Sequence, residues 1–266
     1  FSITMNKNLY KLFYRDYYSQ VNFSYLFSNN REVIENNQAQ IAAKNEELLG
    51  ATLAIIPECK RTNVQVPIQV QYPGLITGSG ITHETSIEGE FKLGIHLDYT
   101  YGMPIIYGSS IKGVLRSAFV NDPDYIQSLL DEIVEDKTIE VKDLIKDIFD
   151  GQERDPENDD PIKGTIAYKN KSIYKRDIFF DAVIISPDST GHILASDYIT
   201  PHKNPLRDPV PISFIKIASG CTMELRFRLV NSIITNAEKL ALFLKILQDS
   251  GIGAKTNVGY GQLLTK

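Results

Sequence analysis

The sequence is poor in the residues that build metal and redox sites. Only two of its 266 residues are cysteines and only four are histidines. Cys59 and Cys221 lie far apart, and neither belongs to a Cys-x-x-Cys pair or to a His/Cys spacing typical of zinc. We therefore expect no metal, no cofactor and a reducing, cytoplasmic setting, where disulfides rarely persist.

Long apolar runs are also missing. No stretch approaches the about 20 consecutive apolar residues that a membrane-spanning helix needs, so we expect no membrane partner. The start, FSITMNKNLYKL, lacks the apolar region of a signal peptide, and because it begins with Phe1 we expect a few residues to precede it. The composition is ordinary, with 42% hydrophobic and 23% charged residues and no internal repeat, and it predicts one domain over residues 1–266.

Positive charge is scarce overall but unevenly distributed. The formal net charge is -5, which argues against a nucleic-acid partner. Residues 121–160, however, contain 15 Asp or Glu against 4 Lys or Arg, whereas the rest of the chain contains 24 Lys or Arg against 18 Asp or Glu. An acidic segment thus conceals a mildly basic body, and such asymmetry says more about partners than the total charge does.

The first fifty residues are typical of helices. NLYKLFYRDYY mixes tyrosines with Lys11 and Arg15, and Lys7 directly precedes it; the three cations are four residues apart and would share one helix face. REVIENNQAQIAAKNEELLGATL predicts a second helix that ends near Gly50. The sequence therefore predicts an N-terminal helical segment over residues 1–50.

The rest of the chain alternates strand and helix patterns. NVQVPIQVQY and EFKLGIHLDY alternate apolar and polar residues as strands do, and GSSIKGVLRSAF has a helical apolar stripe. An acidic, largely helical insertion covers residues 121–162. DIFFDAVIIS, PISFIKIAS and TMELRFRLV then predict strands, NAEKLALFLKILQDS a helix and NVGYGQLL a last strand. Without the insertion, this order predicts an α+β fold with a ferredoxin-like or RRM-like (βαββαβ) core.

The glycine-rich stretch GIGAKTNVGYGQ, residues 251–262, is the first candidate site. It is not a Walker A loop, because Asp249 stands where the first glycine belongs and a strand, not a helix, follows. The dinucleotide fingerprint also fails, because Thr256 replaces its third glycine. Gly251 alone is explained as a helix cap. The remaining glycines fit either a plain turn or a backbone that approaches a large ligand, and the local sequence leaves both open.

GSSIKGVLR is the second candidate site. Ser109 or Ser110 can cap the helix, and Lys112 and Arg116 lie on one face of its first turns, where free N–H groups favour anions. This combination can hold a phosphate backbone. A solvated basic edge is the commoner explanation of a single Lys/Arg pair, but Gly108 and Gly113 on either side favour close backbone contact.

Two further stretches combine glycines, hydroxyls and histidines. LITGSGITHETSIEG contains Thr77, Gly78, Gly80 and His83, and DYITPHKNPLRDPVPI contains His202 and Lys203. A lone histidine is more often structural than catalytic, and the second stretch fits a binding loop or a rigid connection equally. Metal-independent RNA cleavage would need an acid and a base close together, which the sequence alone does not establish.

The chain resembles one known family through the ordered occurrence of several stretches. These are NLYKLFYRDYY, LITGSGITHETSIEG, GMPIIYGSSIKGVLRSAF, IFFDAVI, DYITPHK, DPVPISFIKIASG and GIGAKTNVGYGQ, which span nearly the whole chain. It resembles RAMP proteins, and among them the sixth RAMP subunit of the Cmr (type III-B) CRISPR effector complex. Each stretch is weakly specific alone, and their common order is what carries the resemblance.

The resemblance implies a non-catalytic RNA-binding subunit in antiviral defence. It would hold the 3′ part of the CRISPR RNA beside the repeated backbone subunit and the subunit that closes that end, and it would meet target RNA only indirectly. By position, the implied RNA-binding residues are Ser109, Ser110, Lys112, Gly113, Arg116, Gly251, Gly253, Lys255, Thr256, Gly259, Tyr260 and Gly261. Further possible contacts are Thr77, Gly78, Gly80, His83, His202 and Lys203.

Two alternatives remain beside this interpretation. Some RAMP proteins process guide RNA, so a metal-independent endoribonuclease is one, and an assembly protein with incidental RNA contact is the other. Because the acidic insertion should repel RNA, we expect it to lie away from the RNA groove.

Overall fold

The structure is a computed structural model that describes residues 8–78, 85–91, 94–135, 138–159, 166–200 and 211–265. The helices are α1 (Leu9–Lys11, continued by a π-helical turn, Leu12–Asp16), α2 (Arg31–Leu49), α3 (Gly108–Asn121), α4 (Pro123–Ile133), α5 (Val141–Leu144, continued by a π-helical turn, Ile145–Asp150) and α6 (Asn236–Ser250). The strands are β1 (Val64–Val70), β2 (Ile105–Ile106), β3 (Gln152–Arg154), β4 (Tyr168–Asn170), β5 (Ile178–Phe179), β6 (Ala182–Ser186), β7 (Leu194–Ile199), β8 (Ile212–Ile217), β9 (Thr222–Arg228) and β10 (Leu263–Thr265). The predicted mixture of helices and strands is confirmed.

Helices α2 and α6 carry clear capping residues at their ends. The side chain of Asn30 accepts hydrogen bonds from the first N–H groups of α2, and Gly50 follows its last residue. Thr235 and Glu238 form a reciprocal capping box at the start of α6. The N-terminal helices and the helix before the glycine-rich stretch therefore follow directly from local sequence.

The main sheet has the strand order β10-β1-β9-β6-β2, and every neighbouring pair is antiparallel. Helix α3 lies between β1 and β6 in the chain, and α6 lies between β9 and β10. Strands β7 and β8 form a separate hairpin between β6 and β9, and β3 pairs with β4. The predicted strand over residues 90–99 is wrong in its described part, where only Leu97 forms an isolated bridge, with Pro104.

The core lies between one face of this sheet and helices α3 and α6. Ile68 of β1 is paired with Met223 of β9, and both side chains are buried. Phe243 of α6 packs its ring against Phe227 and Phe179, with centroids 6.0 and 5.7 Å away. Full burial stabilises each such side chain by about 1.5–3 kcal/mol. This packing holds the start of α3 and the loop after α6 at fixed positions.

The acidic segment packs against the same helices. Both of its predicted helices are present, as α4 and as α5 with its π-helical turn. Phe149 packs edge-on against Phe119 of α3 at 5.1 Å, and Tyr125 of α4 donates a hydrogen bond of 2.8 Å to Asp249 of α6. The segment is therefore part of the packed structure, and Phe149 near its C-terminal end contacts α3.

Candidate nucleic-acid interface

Helix α3 begins without a serine cap. The backbone N–H of Gly108 donates to Oδ1 of Asp181 at 2.7 Å, while Ser109 and Ser110 already lie in the first turn. The predicted cap by Ser109 or Ser110 is therefore wrong. The helix starts earlier because Gly108 fits closely against the sheet, where a Cβ atom would lie 2.1 Å from the carbonyl oxygen of Phe179. Ser109 is exposed and Ser110 is half-buried.

Lys112 and Arg116 project from one side of α3, as their spacing predicts, and they meet the acidic segment there. Nζ of Lys112 donates to the carbonyl oxygen of Phe149 at 2.7 Å and lies 6.0 Å from the ring centroid of Phe179. An Nη of Arg116 lies 3.4 Å from Oδ1 of Asp150, and the Arg116 side chain is 48% exposed. The last helical turn of the acidic segment therefore lies beside these cations, and the expectation that the segment lies away from RNA stays a prediction.

Two glycines of the terminal loop are explained by the packing of the loop itself. At Gly253 a Cβ atom would lie 2.3 Å from the carbonyl oxygen of Ile76, and at Gly261 it would lie 1.8 Å from that of Ile252. Both residues also have positive φ, 93° and 74°. Gly251, with φ 67°, ends α6 as predicted and donates its N–H to Leu247. These glycines allow the loop's own backbone to approach closely.

The tip of the loop is less closely packed than the rest of the loop. Lys255 adopts a left-handed conformation, φ 61°, which is uncommon outside glycine, and it precedes a 3-10 turn over Thr256–Val258. It is half-buried and forms no ion pair with any residue that the structure describes. Gly259 follows with φ 96°, and a Cβ atom there would meet nothing closer than 3.9 Å. A cation and an open backbone thus lie together at the tip.

Tyr260 anchors the loop to the β7–β8 hairpin. Its hydroxyl donates to Oδ2 of Asp197 at 2.8 Å, and Nζ of Lys216 donates to the same oxygen at 2.6 Å. Its ring packs edge-on against Phe214 at 5.7 Å and is buried. Burial and the neighbouring Asp197 raise the pKa of Tyr260 to about 12, so its hydroxyl stays protonated. This structural role was not visible in the sequence.

The two predicted halves of the site lie on opposite flanks of α3. A cleft of about 240 Å³ separates the helix from the terminal loop, and it is lined by Val114, Ser117, Ala118, Ser250, Gly251, Ile252, Gly253 and Thr256. Lys112 and Arg116 are on the other flank, beyond the buried stripe of Ile111, Leu115 and Phe119. The loop and the cations therefore do not face each other across one groove.

Thr77 and Gly78 adjoin the start of α3 through His96. Oγ1 of Thr77 accepts the backbone N–H of His96 at 2.7 Å, and the His96 ring packs on Tyr107, the residue before α3, at 4.5 Å. Burial lowers the pKa of His96, which keeps the ring neutral at pH 7. A Cβ atom on Gly78 would lie 2.4 Å from backbone atoms of Gly94, so this glycine serves close backbone packing. Gly80, His83, His202 and Lys203 lie outside the described residues.

Two absences apply to the part of the chain that the structure describes. In that part of the chain no cluster of three or more His, Cys, Asp or Glu is placed to hold a metal ion. No helix among those residues is long and apolar enough to cross a membrane.

Comparison with known proteins identifies the family. The model of the RAMP superfamily matches residues 68–263, which include the end of β1, all of α3, β9 and α6, and the terminal loop, so the chain belongs to the RAMP superfamily. Among curated proteins it is similar to the CRISPR system Cmr subunit Cmr6 of Pyrococcus furiosus, with 26% identity over 218 residues and 66% of this chain covered. The chain spans about 62% of the length of that relative. The predicted resemblance is confirmed.

One solved structure shares the fold of this chain. A chain of the cryo-EM structure of the type III-B Cmr-beta bound to cognate target RNA aligns with a TM-score of 0.56 and 19% identity. The alignment covers 96% of this chain and 84% of that one, which shows a common fold. The crystal structure of Cmr6 from Pyrococcus furiosus aligns with a TM-score of 0.41 and 25% identity, over 76% of this chain and 97% of that one.

Proposed function

We propose that the chain is a non-catalytic, RNA-binding structural subunit of a cytoplasmic type III-B CRISPR ribonucleoprotein. The observation that carries this proposal is the RAMP match over residues 68–263, together with the similarity to a Cmr subunit. The sheet order β10-β1-β9-β6, with one helix crossing in each half, supports a ferredoxin-like core as the RNA scaffold. In this role the chain holds the 3′ part of the CRISPR RNA and caps the backbone filament.

The proposed RNA contacts are the exposed flank of α3 and the tip of the terminal loop. Ser109, Gly113 and Arg116 are exposed on that flank, and nothing lies within 4 Å of a Cβ atom placed on Gly113. Lys255 and Gly259 supply a cation and an open backbone at the loop tip. Such contacts recognise phosphates and ribose without reading bases, which suits a protein that carries guides of any sequence.

The proposed partners follow from the same assignment. They are the neighbouring backbone subunit of the Cmr complex, the subunit that closes the 3′ end, and the CRISPR RNA itself. Target RNA is met only indirectly, through its pairing with the guide. The ion pair between Arg116 and Asp150 places an acidic group beside the proposed RNA path, and in this proposal Arg116 is shared between Asp150 and RNA.

A salt series on two double variants tests the RNA site. Lys112→Ala with Arg116→Ala should weaken guide-RNA retention and lower the salt dependence of binding, because fewer counterions are released. Arg31→Ala with Lys245→Ala removes two exposed cations on α2 and α6 and serves as the matched control. Unchanged RNA binding in the first variant across the series would exclude this flank of α3 as the contact.

Cleavage is tested separately. The purified chain incubated with repeat-containing RNA and a chelator should leave the RNA intact on a denaturing gel. Specific metal-independent products that disappear on mutating His83 or His202 would support the endoribonuclease alternative instead. Co-purification of the wild-type chain with a backbone subunit but without RNA would favour the assembly protein.

A further inference from the structure

Four tyrosines lie close together beside the start of α3, and none of them is among the RNA contacts proposed above. We call Tyr10, Tyr14, Tyr99 and Tyr107 the tyrosine shelf. Tyr99 is 77% exposed, Tyr14 41% and Tyr107 37%, although each carries a large apolar ring. Scattered exposed tyrosines are ordinary, but a contiguous group of exposed aromatic rings marks a binding surface.

Ring contacts and a hydrogen bond within the protein fix the positions of the shelf tyrosines. Tyr10 packs on Tyr14 at 4.8 Å and edge-on against Tyr99 at 5.2 Å, and Tyr107 packs on the ring of His96 at 4.5 Å. The hydroxyl of Tyr14 donates to the carbonyl oxygen of Ile95, next to His96 in the chain. The rings are therefore ordered before any ligand binds, which lowers the entropic cost of binding.

Backbone contacts fix the loop that carries Tyr99. The side-chain amide of Asn8 donates to the carbonyl oxygens of Tyr99 and Thr100, at 3.3 and 3.4 Å. A Cβ atom on Gly102 would lie 2.6 Å from the backbone nitrogen of Leu9, so the loop and α1 are in close contact. The backbone that carries the exposed ring of Tyr99 is thus held in a fixed position.

The charge around the shelf is positive on its exposed side. Lys11 and Arg15 are 59% and 79% exposed, and their ion pairs with Asp16 are long, 3.6 and 3.8 Å. They lie one residue after Tyr10 and Tyr14, so cations and rings run along adjacent rows of one helical surface. Exposed cations alternating with aromatic rings are typical of surfaces for single-stranded nucleic acid.

The nearby carboxylates are occupied by the protein. Oδ1 of Asp98 accepts the backbone N–H groups of Thr100 and Tyr101 at 2.8 and 2.6 Å. Asp181 accepts the N–H of Gly108, as described above. Both carboxylates are held by backbone amides and keep their negative charge, and burial together with these charges raises the pKa of Tyr107.

We propose that the tyrosine shelf stacks unpaired bases of single-stranded RNA while Lys11 and Arg15 contact the adjoining phosphates. Every base has a π-face, and so such a surface accepts guides of any sequence. Tyr107 directly precedes α3, and the shelf therefore continues the proposed RNA path beyond Ser109. This inference rests on the proposed function and extends it to a second contact region.

The decisive experiment measures binding of a fluorescein-labelled 12-nucleotide oligouridine to the purified chain by fluorescence anisotropy. Tyr99→Ala should weaken binding about 5- to 100-fold, the effect of losing one base-stacking ring, and Tyr99→Phe should restore it. Tyr174→Ala, which removes a similarly exposed ring on the turn before β5, should leave affinity unchanged. Lys11→Ala with Arg15→Ala should lower the salt slope by about 1.4, as expected for two lost contacts to a single strand.

The outcomes separate this inference from the proposed function. If Tyr99→Ala keeps wild-type affinity while Lys112→Ala with Arg116→Ala loses it, the shelf is refuted and the function stands. If Tyr99→Ala keeps RNA affinity but no longer associates with the backbone subunit, the shelf is a protein-docking surface and the inference is overturned. If neither the wild-type chain nor its complex retains RNA, the proposed function fails, and the shelf fails with it.

Discussion

Nζ of Lys239 lies 2.7 Å from Oδ2 of Asp177, and both side chains are almost completely buried. The same ammonium lies 3.6 Å from Oδ2 of Asp147, which also pairs with the buried Lys171. Asp147 lies within the acidic segment and Lys171 follows that segment in the chain, whereas Lys239 belongs to α6 of the core. The network therefore fastens the acidic segment to the core by compensated charges in a low-dielectric setting.

Breaking this network should destabilise the whole chain. Lys239→Met leaves Asp177 buried without its cation, and we expect a loss of about 3–5 kcal/mol in the free energy of unfolding, measured by urea titration. Adding Asp177→Asn removes the orphaned charge, so the double variant should lose less than the sum of the single changes. Strict additivity would mean that the two side chains do not interact.

Local sequence predicted the elements of the fold well and their mutual contacts poorly. Helices α2 and α6 carry capping residues next to a helical apolar pattern, and both lie where these signals place them. The start of α3 was misjudged because its first N–H is bound by Asp181, which is 73 residues away in the chain. A long-range partner of this kind leaves no trace in the local pattern.

In the candidate site too, local features follow from the sequence and long-range contacts do not. The common side of Lys112 and Arg116 follows from helical spacing, but their partners, Phe149 and Asp150, depend on how the acidic segment returns. The local sequence leaves open whether the glycines of the terminal loop serve a plain turn or a ligand, whereas the structure shows that Gly253 is required by contact with Ile76 of another segment. A high glycine content indicates that something packs closely against the loop backbone. It does not show whether that is a ligand or another segment of the protein.

Gly113→Ala should separate stability from RNA binding. Gly113 is exposed in the middle of α3 with open space around its Cα, and alanine there should stabilise the helix by about 0.5–1 kcal/mol. A methyl group at this point should nevertheless weaken RNA binding if the RNA backbone passes close by. Thermal unfolding and RNA anisotropy on the same sample measure both effects.

The control for this prediction is Asn36→Ala on the exposed side of α2, which also raises helix propensity but lies outside the proposed RNA path. It should raise stability without changing RNA affinity. Equal RNA affinity of Gly113→Ala and wild type would show that RNA does not approach this turn of α3.

Asp197 makes the anchoring of the terminal loop dependent on pH. Burial alone would raise the pKa of Asp197, but hydrogen bonds from Lys216, Tyr260 and the N–H of Tyr198 outweigh it and lower the pKa below its usual range. The stabilisation is therefore complete above the unfolded-state pKa of about 3.9 and is lost as the pH falls through the lower folded-state value.

Asp197→Asn tests this anchoring. Near pH 7 the variant should lose about 1–3 kcal/mol of stability, because hydrogen bonds to a charged acceptor become neutral ones. The difference from wild type should shrink as the pH falls below about 4, where the carboxylate of the unfolded wild-type chain begins to take up its proton. A difference that stays constant down to the acid transition would show that the charge of Asp197 does not contribute.

Asp150 should act as an internal competitor of RNA. Its carboxylate lies 3.4 Å from Arg116 and 3.1 Å from Lys146, both partly exposed, so it neutralises cations beside the proposed RNA path. Asp150→Asn keeps the shape of the side chain and removes the charge. RNA affinity should rise by up to about fivefold at low salt, the range of a partly exposed ion pair, and the gain should vanish at high salt. Glu35→Gln, which releases Arg31 on α2 by the same chemistry, should leave RNA affinity unchanged. An equal gain in both variants would trace the effect to net charge alone, whereas a gain confined to Asp150→Asn would place the RNA next to Arg116.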